Sequence, residues 1–592
     1  MCGICGELRF DGRAPDISAL KAMLPALRRR GPDDEGHYTD GPLALGHRRL
    51  SVIDLSAQAH QPMVDEALGI ALVFNGVIYN YRELRAELRA LGFSFRSTGD
   101  TEVIVKAYRA WGADCVTRFL GMFAFALWDR RAQSLFMARD RLGIKPLYYS
   151  IGDKYLRFAS NTQALLAAGG IDKSIDAVAL HHHLTLHAVV PAPRTLLAGI
   201  RKLEPAHTLT IARDGARQID RYWTLEARRP PEARSDEEWL ELTRAALCTA
   251  VRRRIAASDV PVGVLLSGGL DSSLLVAALA TSGVRDIKTY TVGFEDQPEE
   301  KGSEFEFSDP VAERFATDHH KFQVPNRELL ERLPEAVDNM SEPMVGQDAV
   351  AFYLLAEQVR RDVKVIQTGQ GADEVFGGYF WYPQMDAEAG DDLTRFRTHY
   401  FDRTHAEFAH TVAPEYVSED HTSALIAQLL EEAPADTFLD KVLRMDATTL
   451  IVDDPVKRVD NMTMAWGLEA RVPFLDHELV ELAMQMPPAF KLREGGKHPL
   501  KQMARGLVPD VVIDRPKGYF PVPALKYVRG DFLQLMVDTL NSRACHERGL
   551  YQRTYVDRLL SEPEAHITPL KGSKLWHLAL LELWLQRNVD NV

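Results

Sequence analysis

Short apolar runs, separated by turn residues, dominate the chain up to about residue 215. The runs ICGELRF, IALVFNGVIYN and MFAFALWD have the length and the β-branched and aromatic content that are typical of strands. The segment YRELRAELRALGF instead repeats apolar residues at helical spacing and predicts an amphipathic helix. Closely spaced strands with few helices favour antiparallel sheets packed in layers.

The pattern changes after residue 238 to an alternation of strand, loop and helix. VPVGVLLSGG runs into LDSSLLVAALATSG, IKTYTVGF follows, and VKVIQTGQGADEVFGG repeats the passage from an apolar strand to a glycine loop. Such alternation predicts a parallel sheet wrapped by helices, with ligands at the carboxyl ends of the strands. The chain from about residue 390 is predicted to be mostly helical.

A proline-rich and charged segment separates the two patterns. EARRPPEARSDEE, near residues 226–238, is predicted to be a linker. Ser235 is predicted to cap the helix that follows, with Glu237 and Glu238 in its first turn. Since 592 residues exceed what one hydrophobic core holds, at least two domains are expected.

Composition narrows the location and the partners. A net charge of -13 argues against a nucleic-acid backbone as the main partner. The chain has no secretory signal pattern and no run of about 18 apolar residues, so no membrane partner is expected. The cysteines are sparse and suit a reducing compartment: Cys2, Cys5, Cys115, Cys248 and Cys545. These features predict a cytoplasmic protein.

The second residue, Cys2, carries the first candidate for chemistry. Once an initiator methionine is removed, a terminal cysteine has its own base, because an α-amine has a pKa of about 7.7–8.0. The alternative is that Cys2 is a small apolar residue that opens a strand. Cys2 and Cys5 also form a C-x-x-C pair, but a structural zinc site needs about four ligands and no second pair follows.

The segment LLSGGLDSS, residues 265–273, is the sharpest local signal of the second half. Paired glycines let backbone amides approach an anion, and the serine hydroxyls add donors at a helix N-terminus. The segment lacks the lysine of a G-x-x-x-x-G-K-[ST] loop and carries Asp271, a ligand type that magnesium prefers. An ordinary strand–turn–helix junction is the alternative for S-G-G alone.

A second acidic loop, TGQGADEVFGGY, also follows an apolar strand. Asp373 and Glu374 suit helix-start carboxylates, which are common. If two strand-end loops of one sheet each contribute an aspartate, however, the two aspartates lie side by side and form a magnesium pyrophosphate site.

Ordered motifs along essentially the whole chain resemble the asparagine synthetase family of glutamine-dependent amidotransferases. They include MCGI, RRRGPDDEG, HRRLSVID, FNGVIYNY, GDTEV, RDRLGIKPLYY, LLSGGLDSS, AWGLEARVPFLDH and DRPKGYFPVP. The resemblance implies that the first domain is a class II glutamine amidotransferase. Its fold would be the α+β fold of N-terminal-nucleophile enzymes, an αββα sandwich. An α/β ATP pyrophosphatase domain (adenine nucleotide α-hydrolase-like) with a helical C-terminal part would follow. The expected domains are residues 2–215 and 239–592, with a linker at 216–238.

The resemblance also assigns roles in the first half. Cys2 would attack the glutamine side-chain amide and release ammonia. Asn75 and Gly76 would line the oxyanion hole, where preorganised donors contribute most. Arg49, Asn75 and Asp100 would bind glutamine, with Arg49 on its carboxylate and Asp100 on its ammonium group. Apart from the resemblance, Arg49 fits a surface arginine and Asp100 fits a helix N-cap.

In the second half the resemblance implies ATP and Mg²⁺. Asp271 and Asp373 would bind the metal and the departing pyrophosphate. The implied ATP-binding residues are Leu266, Ser267, Gly268, Gly269, Asp271, Ser272, Ser273, Val292, Thr368, Gly369, Lys501 and Lys517. The implied substrates are glutamine, ATP and a carboxylate acceptor, and the implied assembly is a homodimer with an internal ammonia channel.

Two positions depart from the family pattern. Val77 stands where a glutamate helps to bind glutamine, and Gln370 stands where a glutamate handles protons at the acceptor. An amide cannot take up that proton. The segments around GQGADEVFGGYFWYP and DPVKRVDNMTMAWGLEARVPFLDH resemble the N-acetylglutaminylglutamine amidotransferase branch, which amidates a dipeptide osmolyte. We favour that dipeptide acceptor over aspartate and expect residues 379–382 to form a wall of a larger pocket. A non-catalytic binding protein on the same scaffold is the alternative from a different class of function.

Overall fold

The structure, a computed structural model, describes residues 2–299, 301–515 and 522–590. Its amino-terminal half is built on antiparallel strands, which are β1 (Gly3–Arg9), β2 (Asp34–Asp40), β3 (Leu43–Arg49), β4 (Met63–Asp65), β5 (Ile70–Ile78), β6 (Gly121–Asp129), β7 (Ser134–Arg139), β8 (Tyr148–Ile151), β9 (Tyr155–Ala159), β10 (Arg201–Lys202), β11 (His207–Ala212) and β12 (Arg217–Arg221). One sheet has the order β10-β8-β9-β1-β3-β2 and the other β12-β11-β7-β6-β5-β4.

The two sheets pack face to face through one apolar layer. Ile4 and Leu45 from the first sheet share this layer with Val73, Ala126 and other apolar residues of the second. Helices cover both outer faces, and the helices of this half are α1 (Ile17–Ala26), α2 (Tyr81–Ala90), α3 (Thr101–Trp111), α4 (Thr162–Ala167) and α5 (Ala177–Thr185). The predicted αββα sandwich is confirmed, and α2 is the predicted amphipathic helix.

The connection between the halves lies slightly later than the predicted boundary. Strand β12 pairs with β11 through Arg221, so the second sheet continues past residue 215. The next helix, α6, begins at Asp236 and is capped by Ser235. The Ser235 hydroxyl accepts the Glu238 backbone N–H, and the Glu238 carboxylate accepts the Ser235 N–H, which completes a capping box.

A parallel sheet forms the centre of the second half. Its strands are β13 (Val262–Leu265), β14 (Lys288–Phe294), β15 (Asp318–Val324), β16 (Val365–Gln367) and β17 (Glu469–Arg471). Their order is β15-β14-β13-β16-β17, and all neighbours are parallel. Because β13 and β16 are adjacent, the two predicted acidic loops leave the same edge of the sheet, side by side.

Helices surround this sheet and make up most of the chain after residue 390, as predicted. They are α6 (Asp236–Ala256), α7 (Leu270–Thr281), α8 (Phe305–Arg314), α9 (Asn326–Asp338), α10 (Asp348–Val359), α11 (Ala372–Phe376), α12 (Trp381–Ala387), α13 (Asp392–Tyr400), α14 (His405–Thr411), α15 (His421–Glu431), α16 (Phe438–Met445), α17 (Lys457–Met464), α18 (His477–Met484), α19 (Pro488–Lys491), α20 (His498–Ala504), α21 (Asp510–Ile513), α22 (Pro523–Lys526), α23 (Gly530–Leu540), α24 (Arg543–Arg548), α25 (Arg553–Ser561) and α26 (Lys574–Leu585). None of the helices in the described ranges is long and apolar enough to cross a membrane.

Short helical turns of other types complete the description. Those with 3₁₀ geometry are Ala57–Ala59, Gly112–Arg118, Pro414–Tyr416, Pro473–Leu475 and Arg493–Gly495, and those with π geometry are Asp446–Leu450, Val452–Val456 and Gln586–Asp590.

Candidate active site

Cys2 lies buried at the start of β1, with 7% of its surface exposed. Its backbone N–H donates to the Asn75 side-chain oxygen at 3.1 Å. Gly3 pairs with Arg48 across the sheet, which brings Arg49, the next residue of β3, beside Cys2. Burial raises the pKa of the Cys2 thiol. The resting thiol therefore keeps its proton at neutral pH and needs a base to become a nucleophile.

Asn75 has the properties of an oxyanion donor. Its side chain is fully buried, and its Nδ2 has no hydrogen-bond partner among the described residues. A buried N–H₂ group without a partner is costly unless a ligand accepts its hydrogen bond. Gly76 lets β5 and β6 approach closely here, because a Cβ on Gly76 would lie 2.2 Å from the Met122 carbonyl oxygen.

Arg49 and Asp100 are both buried and both anchored to backbone. The Arg49 guanidinium donates to the Asp54 carbonyl and, at 3.4 Å, to those of Ile53 and Ser56. Asp100 accepts the Ile78 backbone N–H at 3.0 Å. It stands at the N-cap position of α3, yet its side chain makes no capping bond. Burial raises the pKa of Asp100 to about 6.

Arg30 is a residue of this site that the sequence predictions omit. Its Nε donates to the Cys2 carbonyl at 3.3 Å, and its Nη1 donates to Asp460 Oδ2 at 2.8 Å. Lys145 donates to the other Asp460 oxygen at 3.1 Å. Asp460 belongs to α17 of the second half. The buried charged side chains of Arg30, Lys145 and Asp460 therefore connect the Cys2 site to the second domain. The motif RRRGPDDEG contains Arg30, but a run of arginines alone indicates only a charged surface.

The first acidic loop connects β13 to α7. Gly268 has φ +70°, and a Cβ there would lie 2.6 Å from the Ser308 backbone nitrogen, so only glycine fits. The Ser267 hydroxyl accepts the Gly269 N–H at 3.3 Å and lies 3.2 Å from the Ser272 hydroxyl. The loop then enters the N-terminus of the 12-residue helix α7. Backbone N–H groups and hydroxyls at such a helix start suit phosphate groups.

A cavity of about 890 Å³ opens at the carboxyl edge of the parallel sheet. Many of the predicted nucleotide residues line it, together with Gln370 and Asp373: Leu266, Ser267, Gly269, Asp271, Ser272, Val292, Thr368, Gly369 and Lys501. Gly268 and Ser273 do not line the cavity, and Ser273 is fully buried inside α7. Lys517 lies outside the described residues.

Lys497 is the second residue that the sequence predictions omit. Its Nζ lies 2.6 Å from Asp271 Oδ2 and 2.8 Å from Asp373 Oδ2. Burial alone would lower the pKa of Lys497, but the two carboxylates outweigh it and raise the pKa. The predicted Lys501, from the same GGKHPLK segment, instead donates to the Glu494 carbonyl. The Lys497 ammonium group thus bridges the two carboxylates. Carboxylate oxygens are also the ligands that Mg²⁺ prefers.

Two further carboxyl groups line the same cavity as Gln370, and burial raises the pKa of both. Burial, followed by the charges of Asp446 and Asp373, raises the pKa of Glu374 to about 8. Burial raises the pKa of Asp446 to about 7. Glu374 accepts the Tyr379 hydroxyl at 2.8 Å, and both residues line the cavity.

The predicted aromatic wall is only partly present. Tyr379 and Trp381 line the cavity, with ring centroids 4.2 Å apart. Tyr382 is fully buried beneath it and donates its hydroxyl to Asp446. The cavity also reaches His187 from the first half and His577 from α26. Together with Asp402, these two histidines offer three possible metal-ligand atoms that lie within 4.8 Å of one another. A second group of this kind consists of His181, His405 and Asp420.

Known proteins share both halves of this architecture. The family model described as asparagine synthase matches residues 242–586, and that described as glutamine amidotransferase domain matches residues 1–223. Asparagine synthetase [glutamine-hydrolyzing] 3 of Bacillus subtilis is 31% identical over 99% of this chain and 98% of its own. A putative asparagine synthetase [glutamine-hydrolyzing] of Mycobacterium bovis is 33% identical, over 99% and 97%.

Among solved structures, the chain is similar to the glutamine phosphoribosylpyrophosphate amidotransferase from B. subtilis. The TM-score is 0.30 at 19% identity, over 49% of this chain and 65% of that chain. The two family models and the near full-length relatives lead to one conclusion. The chain belongs to the asparagine synthetase family of glutamine-dependent amidotransferases, enzymes that form C–N bonds with glutamine as the nitrogen donor.

Proposed function

We propose that the chain releases ammonia from glutamine at Cys2 and transfers it to a carboxylate that ATP has activated as an acyl-adenylate. One observation carries this proposal: a single chain holds a buried thiol beside an amide N–H₂ that no described residue accepts from and, in a separate cavity, a phosphate-type loop with two carboxylates. A carboxylate is a poor electrophile, and adenylation supplies AMP as its leaving group.

In the first half, the Cys2 sulfur would attack the side-chain carbonyl carbon of glutamine. The oxygen would gain negative charge and accept a hydrogen bond from Asn75 Nδ2, and the C–N bond would break to release ammonia. Water would then hydrolyse the thioester to glutamate. The α-amine, freed by removal of Met1, would take the thiol proton and return it to the leaving nitrogen.

In the second half, the Ser267–Gly269 loop would hold the phosphates of ATP. Asp271 and Asp373 would hold Mg²⁺, which neutralises phosphate charge when it is bound. Lys497, which bridges both carboxylates, would place its ammonium group on the pyrophosphate that leaves. The acceptor oxygen would attack the α-phosphorus, and ammonia would then displace AMP from the acyl carbon.

Ammonia would travel inside the protein between the two sites. Ammonia in water at neutral pH is mostly ammonium, which is not a nucleophile, so an enclosed path preserves its reactivity. The buried Arg30, Asp460 and Lys145 group marks where the first site meets the second domain. The family resemblance and the sparse cysteines lead us to propose a homodimer in the cytoplasm.

For the acceptor we favour N-acetylglutaminylglutamine over aspartate. Gln370 lines the cavity at the position where a glutamate is expected, and its amide takes up no proton at neutral pH. The cavity of about 890 Å³ is lined by Gln370 and also by His187 and His577, which leaves room for an acceptor larger than aspartate.

A direct competition tests the acceptor. Purified protein with glutamine, Mg²⁺ and ATP is given N-acetylglutaminylglutamine or aspartate, and pyrophosphate and amidated product are followed by mass spectrometry. We expect pyrophosphate and a terminal amide from the dipeptide. Asparagine formed at comparable or better efficiency would make this an asparagine synthetase instead, and no pyrophosphate or AMP with any acceptor would favour a binding protein.

A further inference from the structure

Three side chains of metal-ligating type, from both halves of the chain, meet away from the cavity. His181 lies on α5 of the first half, His405 is the first residue of α14, and Asp420 is the N-cap of α15. The His181 Nε2 atom lies 3.0 Å from His405 Nδ1 and 3.9 Å from Asp420 Oδ1. These three residues, the His181 cluster, do not line the nucleotide cavity.

Hydrogen bonds around Thr422 decide which nitrogen of His181 carries hydrogen. A hydroxyl has one hydrogen, and Thr185 donates its own to the His181 carbonyl at 2.6 Å. Thr422 Oγ1, 2.7 Å from Thr185 Oγ1, is therefore the donor in that contact. The Thr422 oxygen then accepts from Nδ1 of His181 at 2.8 Å and from Nδ1 of His182 at 2.9 Å. In the neutral His181 ring the lone pair is left on Nε2, which faces the other two members of the cluster.

This arrangement is typical of a histidine that binds a metal. The imidazole nitrogen that does not bind the metal usually donates a hydrogen bond, which fixes the tautomer and the orientation of the ring. The Thr422 hydroxyl accepts that hydrogen bond here. His181 is 1% exposed, and its ring packs edge-on against Phe408 with 4.5 Å between the ring centroids. Packing and hydrogen bonding thus hold Nε2 in one direction.

The distances within the cluster fit a zinc ion. Ligand atoms that lie about 2.0–2.2 Å from a tetrahedral zinc are about 3.3–3.6 Å apart. The separations of 3.0 and 3.9 Å lie on either side of this range, and all three ligand atoms are within 4.8 Å of one another. Two imidazole nitrogens and one carboxylate oxygen suit zinc, with the fourth position open to water. His405 and Asp420 are partly exposed, so an ion can enter from solvent.

Zinc binding would require no proton to leave the protein. Without an ion, His405 donates its Nδ1 hydrogen to His181 Nε2. With an ion, the neutral His405 ring would carry its hydrogen on Nε2 instead and offer the Nδ1 lone pair. Asp420 Oδ1 accepts the Ser423 backbone N–H at 3.1 Å and keeps a second lone pair for the metal.

The surrounding charges are compatible with a cation. Arg194 acts on the neighbouring His182 ring, but Asp176 holds the Arg194 guanidinium in an ion pair. His421, which follows Asp420, adds a third imidazole ring beside the cluster. A cation in the cluster would therefore meet one carboxylate and imidazole lone pairs, while the charge of the arginine is already compensated.

We infer that His181, His405 and Asp420 bind a Zn²⁺ ion that ties α5 of the first half to α14 and α15 of the second. Three metal–ligand bonds across three helices would replace one hydrogen bond between α5 and α14. Because α5 ends two residues before His187 on the cavity wall, the ion would also hold that wall against the second half. The site does not depend on the proposed reaction.

Zinc titration of the full chain tests the site. Untagged protein, freed of metal with a chelator, is titrated with Zn²⁺ against a competing chromophoric chelator. We expect the wild type to bind one equivalent that His405→Ala and Asp420→Asn lose or bind at least about tenfold more weakly, since even an indirect partner of a ligand contributes that much. Asparagine also caps helices, so Asp420→Asn keeps the start of α15. The exposed His546→Ala and the exposed N-cap variant Asp391→Asn are the matched controls and should bind zinc as the wild type does.

Thermal unfolding and X-ray absorption complete the test. Zn²⁺ should raise the Tm of the wild type and of both controls but not of the two ligand variants, since an ion stabilises only the state that binds it. At one equivalent, the bound zinc should have nitrogen and oxygen neighbours at about 2.0–2.2 Å. Equally tight binding by the wild type and both ligand variants would place the ion elsewhere and overturn the inference. No binding by the wild type would leave only a hydrogen bond between His181 and His405 and would overturn it as well.

Discussion

At the scale of single residues, the surroundings of a side chain decide what it can bind, and the residue type alone does not show this. Asn75 Nδ2 is buried beside Cys2 and has no hydrogen-bond partner in the part of the chain that the structure describes, whereas Val77, two positions along the same strand, packs into the apolar core. Val77 thus offers nothing to the ammonium group of glutamine. In the proposed reaction, that recognition depends on the buried Asp100.

Replacing the proposed oxyanion donor tests the glutaminase role. We expect Asn75→Ala to lower the kcat of glutamine hydrolysis about 10²–10³-fold, because loss of one preorganised donor typically costs this much. Pyrophosphate release driven by ammonium should stay near the wild-type rate. The exposed Asn541→Ala is the matched control. Unchanged glutamate formation in Asn75→Ala would remove Asn75 from the mechanism.

The titration of Asp100 predicts the acid limb of glutaminase activity. Its pKa of about 6 is above the ordinary value, so the carboxylate is protonated below pH 6 and no longer attracts an ammonium group. Below pH 6 we expect the wild-type kcat/KM for glutamine to fall about tenfold per pH unit more steeply than that of Asp100→Asn, because protonation of the α-amine lowers the activity of both enzymes but only the wild type also loses the Asp100 charge. Asp100→Asn should be weakly active with no such steepening. A wild-type break at pH 4 would contradict a raised pKa.

At the scale of elements, glycines shape the second acidic loop. Gly371 precedes α11 with φ +94°, and its Cβ would lie 2.5 Å from Leu475 Cδ2. A Cβ on Gly378 would lie 2.2 Å from Asp373 Oδ1 and 2.3 Å from Lys497 Cε. The contact between Lys497 and the two carboxylates therefore depends on the absence of side chains at these positions.

A single methyl group tests this dependence. We expect Gly371→Ala to lower pyrophosphate release at least about tenfold, because left-handed backbone costs an L-residue about 1–2 kcal/mol and the methyl group also displaces the loop. Glutamine hydrolysis should continue. Gly390→Ala carries a similar backbone cost, at φ +121°, away from the cavity and should retain activity. Equal losses in both variants would mean that the loop geometry is not the cause.

At the scale of the whole molecule, the two sites are joined by buried charge. Arg30 contacts the Cys2 carbonyl and Asp460 at once, and Lys145 binds the other Asp460 oxygen. Asp460 is 4% exposed, and its two cationic partners outweigh burial and lower the pKa of its carboxyl group. Removing one partner of such a buried ion pair strongly destabilises the folded protein, because the remaining charge is left buried and uncompensated.

Loss of this charge should uncouple the two reactions. In Asp460→Asn we expect more glutamate per amidated product than in the wild type, while ammonium-driven synthesis persists, because the junction around Cys2 loosens and ammonia escapes. Glu432→Gln is the control, since Glu432 and Arg221 form an exposed ion pair between the same two halves. A wild-type ratio of glutamate to product in Asp460→Asn would contradict coupling through this group.

Sequence predictions succeeded where local pattern carried the information. The strand-to-glycine-loop passages at 265–273 and 368–379 anticipated Asp271 and Asp373 at one edge of the sheet, because adjacent parallel strands end together. The sequence prediction named Lys501, which lines the cavity, but not Lys497 of the same GGKHPLK segment, because the position of Lys497 between the two aspartates depends on how the start of α20 packs.

The sequence by itself determined that layered antiparallel sheets precede a parallel sheet and that two glycine loops follow strands of that parallel sheet, because apolar periodicity and glycine placement act within a few residues. Only the tertiary structure decided that Arg30 meets Asp460, that Lys497 bridges two carboxylates and that His187, Asp402 and His577 share a wall. These residues are hundreds of positions apart, and their contacts follow from how the helices and sheets pack against one another, which no local pattern records.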